Sequence, residues 1–201
     1  ALAPKVRALK IGQYDEPGVE MGPLITRESK ERVTNYINQG EADGAEVVVD
    51  GRGLSLQGYE DGFFVGGTLL DRVTADMSVY RDEIFGPVLS VLRPKTYEEA
   101  VNLVMTHEYG NGTAIFTRDG DAAREFANNV NVGMVGVNVP IPVPVAYHSF
   151  GGWKASMFGD HSIHGMEGVR FYTKLKTVTA RWPSGIKDGA VFNFHSGSET
   201  K

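Results

Sequence analysis

Residues 87–138 decide the fold, and they read PVLSVLRPKTYEEAVNLVMTHEYGNGTAIFTRDGDAAREFANNVNVGMVGVN. Short apolar runs in this stretch predict strands at 88–92, 113–117 and 133–137. Thr96 and Asp119 are predicted to cap the two intervening helices, and Glu99 completes a capping box with Thr96. Strands and helices that alternate at this spacing predict two right-handed crossovers in a parallel sheet, and therefore an α/β domain.

The flanking sequence predicts further elements. Thr26 is a predicted N-cap of a helix that buries one apolar face. Apolar runs predict short strands at 46–49, at 63–65 and, after two glycines, at 68–70. Alternation predicts an exposed or edge strand at 173–182. The chain therefore divides into a domain of residues 1–172, a strand with an extension over 173–195, and a polar tail over 196–201 that we expect to be disordered.

The bulk composition is that of an ordinary globular protein. Of 201 residues, 41% are hydrophobic and 22% are charged, and the formal net charge is −5. Scattered basic residues argue against nucleic-acid binding, and no apolar run approaches the roughly 18 to 20 residues of a membrane helix. The chain has no cysteine, which excludes disulfides and thiolate sites and makes cytoplasm the default expectation. Ala1 stands where an initiator Met is usual, which favours an internal start, as in a fragment or a processed chain.

A proline-punctuated loop follows the third predicted strand. Pro140, Pro142 and Pro144 prevent this apolar run from forming a helix or a central strand. Long loops inside compact domains are usually functional. This loop also leaves its strand at the carboxyl end, where open α/β sheets bind their ligands.

A candidate binding pattern lies directly before the first of the three strands. Glu83 and Phe85 are two residues apart in the run Glu-Ile-Phe-Gly-Pro-Val at 83–88. Positions two apart in an extended segment face the same way, so the carboxylate and the ring can address one ligand together. Taken alone, an exposed Glu and a core Phe before an edge strand explain the pattern better, because short patterns recur by chance.

The run at 83–88 resembles the signature of the aldehyde dehydrogenases. Further stretches that are similar to motifs of this family follow in the family's order, at 20–23, 109–117, 131–138, 149–156 and 176–179. The resemblance implies the C-terminal part of that family's three-layer α/β catalytic domain, with a mainly parallel sheet. It also implies NAD as the cofactor, with Glu83 on the nicotinamide ribose and Phe85 beside it.

Within this family, three stretches resemble the methylmalonate-semialdehyde dehydrogenases, namely 139–144, 148–153 and 181–185. The resemblance implies that methylmalonate or malonate semialdehyde is converted, with NAD and coenzyme A, to propionyl- or acetyl-CoA and carbon dioxide. The family's nucleophile is a cysteine thiolate upstream of this stretch, so the chain alone is expected to be inactive. The alternative is a non-catalytic assembly or folding fragment of that family.

Several other residues are weaker candidates. The resemblance places Phe150 on the aldehyde tunnel, although a hydrophobic plug beneath a glycine turn explains it equally well. His148 fits a contact to an acidic substrate or to coenzyme A, but a lone loop His is more often polar surface. Ser29 and Arg32 match helix positions that approach the adenosine ribose in some relatives, although exposed helix residues need no such role.

The remaining expectations concern metals and assembly. His161 and His164 are three residues apart, but no carboxylate or cysteine completes a metal site with them. The resemblance implies that residues 173–182 pair with another subunit. The full-length protein is therefore expected to be a homo-oligomer, either a dimer or a tetramer.

Overall fold

The structure is a computed structural model that describes residues 1–182. Its elements in chain order are α1 (Leu2–Arg7), α2 (Arg27–Ala42), β1 (Glu46–Val49), β2 (Thr68–Asp71), α3 (Ser78–Arg81), β3 (Val88–Ser90), α4 (Tyr97–Thr106), β4 (Tyr109–Gly110), β5 (Gly112–Ile115), α5 (Gly120–Asn129), β6 (Met134–Val137), β7 (Trp153–Lys154) and α6 (Met166–Tyr172). This alternation confirms the predicted α/β class. No helix within residues 1–182 has the length and apolar character to cross a membrane. The predicted tail at 196–201 lies outside the described residues.

Side-chain caps begin the three longer helices, as predicted. Thr26 and Thr96 each accept a hydrogen bond from the backbone N–H three residues later, at 3.1 and 3.2 Å. Asp119 accepts from two N–H groups of the first turn of α5, at 2.8 and 3.2 Å. The capping box differs in one bond, because the Glu99 carboxylate accepts from the N–H of Lys95 at 2.7 Å rather than from that of Thr96.

The strands form three small sheets rather than one. β2 pairs antiparallel with β1 and parallel with β3, β4 pairs antiparallel with β7, and β5 pairs parallel with β6. The parallel pair joined by α5 confirms the second predicted βαβ unit. The first predicted βαβ unit, which joins the strand at 88–92 to the strand at 113–117, is wrong among the described residues. β3 pairs with β2 and not with β5.

Two hydrophobic clusters form the interior. The first cluster joins α2 to the β1–β2–β3 sheet and to α3, and its most buried members include Val33, Ile37 and Leu70. The second cluster centres on Phe126, Val130 and Val132, against which α4, β5 and β6 pack. The chain therefore has one core on either side of the connection between β3 and α4.

Two predicted strands are absent from the described residues. Residues 63–65 carry no strand, although Phe64 and Val65 are both buried, because successive burial here comes from core packing rather than from a ladder. Residues 173–182 are exposed and also carry no strand, since no neighbouring strand of the described chain pairs with them. Pairing with another subunit therefore stays a prediction.

Candidate functional site

Helix α2 holds residues 82–86, here called the motif segment, by two side-chain hydrogen bonds. The Tyr36 hydroxyl donates to Asp82 Oδ2 at 3.0 Å. Arg32 Nη1 donates to the carbonyl oxygen of Ile84 at 2.7 Å. The side chain of Ile84 is buried in the first hydrophobic cluster, so α2 and the core fix this residue together.

A third contact brings the backbone of the motif segment directly onto α2. A Cβ atom built on Gly86 would lie 2.5 Å from Val33 Cγ2, closer than real Cβ contacts. Val33 is fully buried and cannot turn away without opening the core. Glycine at position 86 therefore allows the motif segment to pack closely against Val33 of α2.

Glu83 and Phe85 occupy the positions between these anchors, and both are exposed. Within residues 1–182 the Glu83 carboxylate has no hydrogen-bond or ion-pair partner. Phe85 is 70% exposed and has φ +53°, in the left-handed region that residues with a Cβ rarely adopt. The premise of a fully extended segment is therefore wrong at Phe85, although Glu83 and Phe85 are both exposed on either side of buried Ile84.

Glu83 lines a cavity of about 700 Å³ between the two hydrophobic clusters. The cavity is also lined by residues of α4, β4 and β5, by the turns beside them and by the segment after β7, including Leu103, His107, Asn111 and Ser156. Phe85 and Phe150 do not line this cavity. The structure therefore brings Glu83 alone of the three predicted site residues to its wall.

Hydrogen bonds fix the aromatic wall of the cavity. His107 Nδ1 accepts from the backbone N–H of Tyr109 at 3.0 Å, so the ring proton lies on Nε2, which donates to the Tyr80 carbonyl at 3.1 Å. The Tyr80 hydroxyl donates to the Leu103 carbonyl at 3.0 Å, and burial raises the pKa of Tyr80 above its ordinary value. Tyr80 therefore stays protonated and ties α3 to α4.

Lys154 anchors the loop at 149–156 to the end of α4. Its Nζ donates to the carbonyl oxygens of Val104, Met105 and His107 at 3.0, 3.0 and 3.1 Å. The last carbonyls of a helix have no partner within it, and a cation there is also favoured by the helix dipole. The lysine of this motif therefore caps a helix in the described chain.

The same loop carries Phe150, which is half-buried and stacks on His164 with ring centroids 4.3 Å apart. At the base of the loop, a Cβ on Gly133 would lie 1.9 Å from the carbonyl oxygen of Gly151. This near contact of two backbones explains why glycine occurs directly before β6. Phe150, next to Gly151, does not line the cavity that Glu83 lines.

Comparison with known proteins adds a decisive observation. A model of the aldehyde dehydrogenase family matches residues 1–178. The chain belongs to the aldehyde dehydrogenase family. It is 60% identical over 182 residues to the malonate-semialdehyde dehydrogenase of Pseudomonas aeruginosa, covering 90% of this chain and 37% of that protein.

Other relatives agree with this family assignment. The chain is 49% identical over 181 residues to the mitochondrial methylmalonate-semialdehyde/malonate-semialdehyde dehydrogenase of Bos taurus, covering 90% of this chain and 34% of that one. A candidate methylmalonate-semialdehyde dehydrogenase of Sinorhizobium meliloti, solved with NAD, superposes with a TM-score of 0.90 at 60% identity. That match covers 93% of this chain and 38% of the other. The chain thus spans little more than a third of the length of these aldehyde dehydrogenases.

The weaker candidates have local explanations. The Ser29 hydroxyl lies 3.1 Å from Thr26 Oγ1 at the start of α2, and Arg32 binds the Ile84 carbonyl. His148 is exposed and lies against Tyr147. No group of three or more potential metal ligands occurs within residues 1–182.

His161 has a carboxylate partner that the sequence did not predict. Its Nδ1 lies 2.6 Å from Glu167 Oε2. The sequence also does not reveal the hydrogen bonds by which Tyr36, Lys154 and His107 brace the site. Lys154 lies within a family motif, which singled it out, but its acceptors are 47 to 50 residues away and no local pattern points to them.

Proposed function

We propose that this chain is the C-terminal part of the catalytic domain of an NAD-dependent, CoA-acylating aldehyde dehydrogenase. The substrate is malonate or methylmalonate semialdehyde. The semialdehyde, NAD⁺ and coenzyme A give acetyl- or propionyl-CoA, carbon dioxide and NADH. The proposal is supported by 60% identity to a malonate-semialdehyde dehydrogenase and by the likeness to a protein solved with NAD.

The cofactor part of this proposal rests on the exposure of Glu83 and on its lack of a partner within the described residues. Its carboxylate is exposed, has no partner among the described residues, and projects from a segment that α2 holds in place. A ribose presents two neighbouring hydroxyl donors, and an ionised carboxylate accepts both. The residues present therefore fit the nicotinamide ribose, and NAD when bound supplies the hydride acceptor.

Phe85 and Phe150 have supporting roles in the proposal. The exposed ring of Phe85 follows Glu83 by two residues and offers a flat apolar surface to the sugar or the nicotinamide. Phe150 lines the path of the aldehyde, held in place by His164 and the close contact between Gly133 and Gly151. Both side chains exclude water rather than react.

The nucleophile belongs to the part of the domain that precedes this sequence. A cysteine thiolate attacks the aldehyde carbon to give a thiohemiacetal, which becomes a thioester only when its hydride is lost, and NAD⁺ would be the acceptor. The acyl group then passes from this thioester to the thiol of coenzyme A, and the cysteine leaves as a thiolate. The present chain has no cysteine. Alone, it should therefore give no NADH from NAD⁺ and malonate semialdehyde, whereas turnover above the blank would contradict the assigned nucleophile.

Assembly and location complete the proposal. The exposed residues 173–182 need a neighbouring strand, and a second subunit would supply it, giving a dimer or a tetramer. Cytoplasmic location stays a prediction.

The proposed role of Glu83 is tested by Glu83→Gln in the full-length protein. A neutral amide accepts weaker bonds from hydroxyls than a carboxylate, so hydride transfer in a single turnover should slow by about tenfold or more. Glu108→Gln is the matched control, because Glu108 is also exposed but does not line the cavity. Equal rates for the two variants would remove Glu83 from the cofactor site.

A further inference from the structure

The three anchors of the motif segment alternate with the two residues proposed to contact NAD. Asp82, Ile84 and Gly86 contact α2, whereas Glu83 and Phe85 are exposed. Arg32 is central among the anchors, because the carbonyl that it binds belongs to the peptide between Ile84 and Phe85. This single contact thus lies between the two exposed residues along the chain.

The same peptide precedes the strained residue of the segment. Phe85 has φ +53°, which is disfavoured for a residue with a Cβ because that atom crowds the backbone. Phe85 can relax to negative φ if the peptide before it rotates, and this rotation would turn the Ile84 carbonyl away from α2. The bond from Arg32 opposes that rotation.

We propose that Arg32 is a positioning residue that holds the Ile84–Phe85 peptide, and through it the carboxylate of Glu83, in the geometry that the cofactor needs. The proposal rests on the proposed role of Glu83. Arg32 acts through the backbone in this assignment and does not itself touch NAD. Tyr36 supports the same segment, and its bond to the Asp82 carboxylate raises the pKa of the Tyr36 hydroxyl, which therefore remains a donor.

The test is Arg32→Met in the full-length protein, with Lys30→Met as the matched control. Lys30 is on the same helix and also donates to a backbone carbonyl, that of Gly62 at 3.1 Å, but outside the motif segment. Arg32→Met should slow single-turnover hydride transfer by about ten- to a hundredfold, because small displacements of a positioning group have effects of this size. The dissociation constant of NAD should change much less, and Lys30→Met should leave the rate near that of the wild type.

A double-mutant cycle separates positioning from direct contact. If Arg32 acts through Glu83, Arg32→Met should add almost nothing to the loss already caused by Glu83→Gln. Additive losses, or a loss confined to NAD affinity, would show that Arg32 binds the cofactor directly and would overturn the proposal. A wild-type rate in Glu83→Gln would instead overturn the proposed function of Glu83.

A second measurement needs no activity. Hydrogen exchange of the peptide that covers residues 82–88, followed by mass spectrometry without cofactor, should be faster in Arg32→Met than in Lys30→Met. Arg32→Gln, which keeps an uncharged NH₂ donor group, should lie between the wild type and Arg32→Met in both exchange and rate. Unchanged exchange at 82–88 in Arg32→Met would contradict the proposed restraint.

Discussion

Asn138 binds both backbone groups of Thr117 through its side-chain amide. The N–H of Thr117 donates to Asn138 Oδ1 at 2.9 Å, and Asn138 Nδ2 donates to the Thr117 carbonyl at 3.0 Å. The amide thus continues the β5–β6 pairing beyond its last register pair, Ile115 with Val137. Asn138 also has φ +58°, which Asn tolerates better than other residues with a Cβ.

Substitution at position 138 should separate these two contributions. Asn138→Gly adopts the positive φ without strain but loses both side-chain hydrogen bonds. It should lower the free energy of unfolding by about 1 to 2 kcal/mol. Asn138→Ala loses the bonds and adds left-handed strain of about 1 kcal/mol, so it should be the less stable variant. Thermal unfolding of the full-length protein checks the order, and an Ala variant at least as stable as the Gly variant would contradict it.

Lys154→Met should release the loop at 149–156 from α4. Three carbonyl oxygens lose a charged donor, and we expect a loss of about 2 kcal/mol in the free energy of unfolding. Lys154→Arg retains the charge and several donors, and should recover part of the loss. The midpoint of urea unfolding is the measurement, and equal midpoints for Lys154→Met and wild type would rule out the capping role.

Acid should weaken the link between the end of β2 and the segment that follows β3. Arg93 donates to both Asp71 oxygens at 2.7 and 2.6 Å, and this pairing, with the N–H of Arg72, lowers the pKa of Asp71 from 3.8 to about 2. Because the folded-state pKa is the lower one, the stabilisation is complete above about pH 4 and is lost as the pH falls towards 2. Asp71→Asn should therefore unfold at a lower temperature than wild type at pH 7, and the gap should narrow at about pH 3. A gap independent of pH would show that the charge of Asp71 contributes nothing.

Gly86→Ala should destabilise the protein through Val33. The new Cβ would lie 2.5 Å from Val33 Cγ2, and crowding of this kind costs about 1 to 3 kcal/mol. Removing the crowding atom should relieve the clash, so Gly86→Ala should cost less in a Val33→Ala background than in wild type. The free energies of unfolding of the four proteins give this coupling, and additive effects would show that Gly86 is needed for another reason.

Features that depend on neighbours in sequence were predictable. The caps at Thr26, Thr96 and Asp119 involve N–H groups at most three residues away, so local patterns identify them. Strand pairing was harder, because an apolar run does not say which strand lies beside it. The run at 88–92 was predicted to lie in the same parallel sheet as the run at 113–117, but the structure pairs it with β2 instead.

The candidate site shows the same division. The resemblance singled out Glu83 and Phe85 by their motif, but it did not reveal what holds them. Arg32 lies 52 residues from Ile84 in sequence, and the left-handed φ of Phe85 has no signature in its residue type. Such features arise from tertiary packing, which a single sequence does not display.

The alternation in the motif segment has a consequence for how this stretch tolerates change. A saturation scan of residues 82–86 that scores protein abundance and turnover separately should show a period of two. Substitutions at Asp82, Ile84 and Gly86 should reduce abundance, because these residues attach the segment to α2. Substitutions at Glu83 and Phe85 should leave abundance high and reduce turnover, since neither has a structural partner among the anchors. Under the proposed roles of Glu83 and Phe85, residues for folding and residues for ligand recognition alternate along the segment, so selection could adjust one property with little effect on the other.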